Sequence, residues 1–221
     1  MRTLKNILFS LLILTLPLLL VITSIRIVLS PLFLEVEYRL PGFPADPFGF
    51  TFDERMHFAR LSADYLVNPA TLDFLADIRM ADGQPLYNER ELSHMLDVKN
   101  LTQVVLKIWY LVIALFAFGV LFFWKSHELC RFWQAVRQGG WLTIGLVVAI
   151  LLGVLLSFNA LFTAFHRIFF SGDTWLFYYS DSLIRLFPQR FWMDVFFFIG
   201  GFSILFAVLA IFLGRRFSTH K

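Results

Sequence analysis

The chain has 221 residues, of which 58% are hydrophobic and only 16% charged. A soluble domain runs nearer about 45–50% apolar and about 25% charged, so this length cannot hide so much apolar surface in a water-soluble core. One cysteine excludes a disulfide scaffold, and the net charge of +3 comes from basic residues outside the apolar runs, which is no sign of a nucleic-acid partner. The class is a polytopic membrane protein.

Crossing a hydrocarbon core about 30 Å thick takes a helix of about 20 apolar residues. Four segments meet that length, at about 7–25, 105–124, 141–165 and 195–213. The first exceeds a signal peptide's apolar region, and no small-x-small cleavage pattern follows it, so it reads as a retained anchor. Arg2 and Lys5 precede it. Lys125, Arg131 and Arg137 fall between spans two and three, and Arg215, Arg216 and Lys221 follow span four. Between Arg26 and Gln103, twelve acidic residues face seven basic ones. The positive-inside rule then puts both termini and the Lys125–Gly140 loop in the cytoplasm. It puts 26–104 and 166–194 outside. Cys130 falls in the cytoplasmic loop.

Residues 26–104 are too many for a bare connection and predict a folded insertion. Phe33 to Arg39 alternates apolar and polar residues, which suits a short strand or an extended arm. Pro41, Pro44 and Pro47 mark a turn-rich stretch whose Phe43, Phe48 and Phe50 suit contact with lipid. Thr51 with Glu54 forms a capping-box pattern opening a helix to Val67, which Asn68-Pro69 ends. A second short helix is expected over Thr71 to Met80, then a turn at Asp82-Gly83. Asn88 with Glu91 repeats the capping pattern. The helix it opens either runs straight into span two or breaks near Asn100. In the 166–194 segment, aromatic residues recur from Phe169 to Trp192, with a short helix expected over Ser180 to Phe187. Such a loop suits the headgroup level of the outer leaflet. The fold class is all-α: a single membrane domain over 1–221, with four transmembrane helices, a mainly helical extracytoplasmic insertion and an aromatic interfacial loop.

Glycine-rich phosphate loops, paired cysteines, HExxH and GxSxG are absent from the sequence. His127 and His220 fall on the cytoplasmic side. His57, His94 and His166 fall outside, with His166 at the end of span three. An interfacial histidine suits a structural hydrogen bond as well as proton transfer. Two on separate segments also allow a metal, although no third ligand stands at a recognisable spacing. Lys107 and Asn159 are polar groups within spans, and Lys107 also suits snorkelling to the headgroups. Arg167, Arg185 and Arg190 suit either lipid phosphates or simple anchoring. Asp97, three residues after His94, either orients that imidazole or is a surface charge.

Two stretches carry a resemblance. Tyr87 to Val98 (YNERELSHMLDV) contains E-x-x-H-x-x-D-V, and Phe165 to Phe177 (FHRIFFSGDTWLF) opens with F-H-x-x-F-F. With four spans and one large first outer loop, they resemble the lipoprotein intramolecular transacylase (Lit) family of bacterial integral membrane proteins. The resemblance implies catalysis by His94 and His166, with Asp97, Glu91 and Trp175 in support, and neither metal nor cofactor. The implied substrate is a bacterial lipoprotein whose N-terminal Cys bears a diacylglyceryl thioether. Its sn-2 acyl chain moves to the Cys α-amine, leaving a lyso-form lipoprotein. Membrane lipids are the other implied partners, and the bacterial cell membrane the implied location. An intramolecular aminolysis needs no enzyme nucleophile, only orientation and proton transfer. The rival readings are a metal-dependent membrane hydrolase and a non-enzymatic membrane assembly protein.

Overall fold

The structure, a computed structural model, describes residues 1–218; His220 and Lys221, which the charge reading assigns to the cytoplasm, lie outside the described residues. Eight helices follow in order among the described residues: α1 (Arg2–Val28), α2 (Pro31–Glu37), α3 (Phe52–Val67), α4 (Asp73–Ala76), α5 (Glu89–Lys125), α6 (Leu129–Phe169), α7 (Ser182–Leu186) and α8 (Gln189–Phe217). Among the described residues, α1, α5, α6 and α8 are long and apolar enough to cross a membrane. One isolated β-bridge among the described residues pairs Arg79 with Pro85. The chain divides into two compact units.

The first unit holds Met1–Arg26, Val105–Leu155 and Phe196–Lys221. Leu8, Leu12 and Leu16 recur every fourth residue and form one stripe of α1. They are buried with Phe123 of α5, Phe132, Ala135 and Val136 of α6, and Ala210 of α8. Pro17 lies inside α1. Its missing N–H leaves the Ile13 carbonyl without its helical donor. Gly139 of α6 packs against that gap: a Cβ there would stand 2.7 Å from Leu16 Cβ and 3.0 Å from the Ile13 oxygen. The adjacent Gly140 faces α8 instead, where a Cβ would meet Ile211 at 2.7 Å and the Ala207 oxygen at 2.9 Å. Helices in lipid gain little from burying apolar surface, so close backbone approach over small residues holds them together. A buried hydroxyl pair, Ser24 with Ser203 at 3.0 Å, joins α1 to α8.

The Lys125–Gly140 segment is not the loop its charges suggest. Only Ser126 to Glu128 forms the turn, with His127 at a φ of 55°, and α6 begins at Leu129. Phe132, Ala135 and Val136 face the core, so the segment is an amphipathic helical turn whose polar face carries the basic residues. Lys5 donates to Glu128 at 2.5 Å, and Arg131 bonds both Glu128 and Asn6.

The second unit holds Ile27–Val104 and Leu156–Val195. The expected strand over Phe33 to Arg39 is a helix, α2. Its reason lies just upstream: Ser30 caps the Phe33 N–H at 3.3 Å, and Pro31 supplies a first helical residue with fixed φ. Phe33, Leu34, Glu37 and Tyr38 are buried, a helical stripe that seven residues also present as alternation. α3 opens on the expected capping box of Thr51 and Glu54. The second helix shrinks to Asp73–Ala76, because Ile78 and Met80 instead bond across the Asp82-Gly83 turn to Leu86 and Gln84. α5 runs unbroken past Asn100. Its start is capped reciprocally: Asn88 Oδ1 accepts from the Glu91 N–H, and Glu91 Oε2 from the Asn88 N–H. The core of this unit gathers Phe58, Tyr65, Leu75, Leu86, Tyr87, Met95, Leu183 and Leu186. Arg185 of α7 grips Asp46 through Nε and Nη2, at 3.2 and 2.9 Å. Burial pushes the Asp46 carboxyl up, but Arg185 and the Phe50 N–H outweigh it and hold the group below its ordinary range. α6 leaves helical geometry at Ser157, with φ −161° and ψ 88°.

Candidate active site

The second helical stripe of interest is on α5. Glu91, His94 and Asp97 recur at three-residue spacing and share a face. Glu91, 1% exposed, does more than cap its helix: its Oε1 accepts the Leu183 N–H at 2.8 Å. The start of α5 is thereby fastened to α7. Asp181 makes a second clasp. It accepts from Asn88 Nδ2 and Arg90 Nη2, each at 3.3 Å, and from the Tyr178 N–H at 2.8 Å. Arg90 in turn lies over the rings of Phe177 and Tyr178. These contacts fold the aromatic segment after α6 back onto the beginning of α5.

That folding brings His94 and His166 together. Their rings lie 5.9 Å apart between centroids and 22° from parallel, and each residue is 8% exposed. Aromatic rings enclose them. Phe170 and Phe177 meet His94 edge-on at 5.0 and 5.4 Å. Phe162, Trp175 and Phe170 surround His166 at 4.1, 5.0 and 5.4 Å. Trp175 is steadied by its own Nε1, which donates to the Gly172 carbonyl at 3.1 Å.

The two imidazoles differ in their hydrogen bonding. His166 Nδ1 lies 2.8 Å from the Phe162 carbonyl oxygen, one helical turn back. A carbonyl only accepts, so Nδ1 carries the proton when the ring is neutral and Nε2 keeps a lone pair. His94 Nδ1 is buried and has no protein partner. Buried polar groups are rarely left so, and a reacting group placed there would complete it. The arrangement offers one oriented imidazole with a free Nε2 and one uncommitted imidazole, both enclosed by aromatic rings.

The other sequence candidates are placed elsewhere. Asp97 is partly buried and makes no hydrogen bond to His94. His57 is exposed on α3 against Phe58. Lys107 is exposed, and Asn159 accepts from Gln189 at 3.2 Å. Arg185 and Arg190 are committed to Asp46 and Asp194, while Arg167 is exposed. Among the described residues, no group of three or more His, Cys, Asp or Glu is placed to hold a metal ion. Sequence reasoning missed Phe162, Arg90 and Asp181, and had Phe177 as the last residue of the second stretch without a role. Phe170 was within reach, as the last position of F-H-x-x-F-F.

Known proteins share this family and fold. Residues 9–192 match the family described as lipoprotein intramolecular transacylase Lit. A protein of Aquifex aeolicus, itself uncharacterized, is 30% identical over 203 residues, covering 90% of each chain. The in meso structure of the membrane-integral lipoprotein intramolecular transacylase Lit from Bacillus cereus shares the fold. Its TM-score is 0.76 at 19% identity, over 98% of this chain and 96% of that one. A form of it with one histidine replaced by arginine gives 0.75 at 20% identity, over 97% and 92%. The match over most of the chain, joined to the fold, assigns it: the chain belongs to the lipoprotein intramolecular transacylase (Lit) family.

Proposed function

We propose that His94 and His166 carry out an O-to-N acyl shift within a single lipoprotein molecule. The chain is a membrane acyltransferase, and its substrate is a lipoprotein with a diacylglyceryl thioether on its N-terminal Cys. The observation that supports these roles is the stacked imidazole pair with only one Nδ1 committed.

The free α-amine attacks the carbonyl carbon of the sn-2 ester. An N–C bond forms and the C–O bond to glycerol breaks. The proton leaving nitrogen passes to Nε2 of His166, whose Nδ1–H stays on the Phe162 carbonyl. The His166 imidazolium then gives that proton to the departing glycerol oxygen, which restores the starting state, while the neutral His94 ring is free to hydrogen-bond the reacting group. Amine plus ester becomes amide plus alcohol with no net proton change. Both reacting groups belong to one molecule, so holding them in contact replaces an enzyme nucleophile; effective molarities of such reactions reach about 10⁵ M or more. The ring enclosure keeps water from taking the ester instead. Lys/Arg bias supports termini in the cytoplasm and a site at the outer leaflet, where lipoprotein anchors reside.

The test is mass spectrometry of a lipoprotein's N-terminal peptide from a host that makes diacylglyceryl lipoproteins, with and without this protein. The expected result is unchanged total mass and a fragmentation pattern showing N-acyl Cys with one O-acyl chain. A gain of one chain would mean transfer from phospholipid. A loss of one chain would mean hydrolysis. Either outcome, or an unchanged pattern with the protein confirmed in the membrane, overturns the reading.

A further inference from the structure

A cavity of about 290 Å³ lies beside the histidine pair. Phe170 is its link to the site, since the same ring lines the cavity and contacts both imidazoles. Asp97, Leu101 and Val104 of α5 line it at three, seven and ten residues past His94, continuing one helical stripe. Asn100 and Ser171 add polar atoms beside Asp97, and Leu101 and Val104 make the far end apolar. Its volume is at the lower limit for ligand sites, about 300 Å³. That is room for the head of a lipid-modified residue rather than two whole acyl chains.

Asp97 is the unusual member. It is a partly buried carboxylate that forms neither hydrogen bond nor ion pair among the described residues. The nearby Lys99 is turned away, with Nζ on the Ala70 carbonyl at 2.6 Å and over the Tyr65 ring. A partly exposed carboxylate with no protein cation beside it is free to pair with one that a ligand brings. One helical turn separates it from His94, a rise of about 4.5 Å. A cation held by Asp97 would therefore be within reach of that imidazole.

We infer that this cavity seats the lipidated N-terminal residue of the substrate, with Asp97 as the counter-ion of its α-ammonium. The inference rests on the acyl-shift reading and adds the group that recognises a free amine. The α-amine is the one cation that every substrate of the reaction must carry, and the product, being an amide, lacks it. Asp97 thus favours substrate over product and releases the product once its charge is gone. Asn100 and Ser171 offer hydrogen bonds to the neighbouring peptide group. Asp97 acts here by binding: before the nitrogen attacks, the ammonium gives up one proton to the surrounding water, so the reaction counted from the ammonium form releases one net proton, and Asp97 takes none.

The experiment measures binding to the purified full chain in lipid nanodiscs. Two synthetic ligands are used, each a short peptide whose N-terminal Cys bears a dialkylglyceryl thioether. Ether chains replace the esters, so no transfer occurs. One ligand has a free amine and the other an N-acetyl group. The wild type should bind the free amine about tenfold more tightly, the scale of one charge-assisted hydrogen bond. Asp97→Asn should bring the ratio to about one while leaving affinity for the acetylated ligand unchanged, which also shows that the variant is folded. Asp97→Glu should restore part of the preference. Leu101→Trp, which fills the apolar end, should weaken both ligands. Preference kept in Asp97→Asn overturns the inference. Equal binding of both ligands by the wild type also overturns it and leaves the acyl-shift reading standing. Binding of neither ligand overturns that reading as well.

Discussion

At the scale of residues, the asymmetry between the two imidazoles decides what each can do. His166 cannot swap tautomers without losing the Phe162 carbonyl, so its free nitrogen is always the same one. His94 has no such constraint. Removing either should cost about 10² to 10⁴ in rate, the usual worth of a positioned acid or base. His94→Ala and His166→Ala should therefore each abolish detectable N-acylation at normal protein levels. Residues that act as a unit are not additive, so the double variant should be little worse than either single one. Single-turnover acyl transfer, followed by mass spectrometry in proteoliposomes, measures all three; full rate in either single variant removes that histidine from the mechanism. The sequence made these two residues visible because each stands in a compact stretch of unusual residues. It hid Phe162, which stands one helical turn before the motif, and Asp181, whose role exists only through contacts far along the chain. Asp181 and Asn88 are 93 residues apart, and nothing local in either distinguishes them from ordinary helix-start residues.

At the scale of elements, short segments were the hard ones to read. Seven residues of α2 fit period two as well as period 3.6, and the deciding signal was the Ser30-Pro31 start rather than the pattern itself. Burying that helix encloses Glu37 completely. Burial, then the negative charge of Asp194, push its carboxyl up from 4.5 to about 8, against the pull of Arg190. The native state thus holds this proton more tightly than the unfolded chain does. Stability from it is complete below the unfolded value and is lost as pH rises towards about 8. The slope cannot exceed about 1.36 kcal/mol per pH unit for one proton. The unfolding midpoint of the wild type should fall between pH 6 and pH 8, and Glu37→Gln should flatten that fall. A wild-type fall that Glu37→Gln leaves equally steep would assign it to another group. Helix contacts in the first unit make a sharper case. Gly139→Val places a branched side chain where even a Cβ would stand 2.7 Å from Leu16 and 3.0 Å from the Ile13 carbonyl. Overpacking of this kind costs about 1–3 kcal/mol or more, and the backbone oxygen leaves little room to relax. Detergent unfolding should show that loss for Gly139→Val, whereas Gly145→Val, with open space around its Cβ position, should stay near wild type.

At the scale of the whole molecule, length and apolarity alone made the four long helices legible, because lipid demands both. Where those helices extend beyond the apolar stretch, composition was misleading, as with the basic turns of α6 that resemble a loop. Orientation depends on charge bias, and the bias is uneven. Arg2, Lys5, Lys125, Arg131 and Arg137 occur in the first unit's short flanks, while 26–104 is acidic. Insertion machinery reads the cationic flanks, so both termini should remain in the cytoplasm. The test needs reporters that are exposed. Asp46 is unsuitable, since its side chain is wholly buried against Arg185. Asp82 and Asp173 are exposed and stand in the 26–104 and 166–194 segments. With the sole native cysteine removed by Cys130→Ser, single cysteines at positions 82 and 173 should react with an impermeant thiol reagent in intact cells whose outer face is accessible. A cysteine kept at position 130 should react only after lysis. The reverse labelling would turn the molecule over and place the histidine pair on the cytoplasmic leaflet. A mature lipoprotein anchor, whose Cys is already on the outer face, would then never meet it.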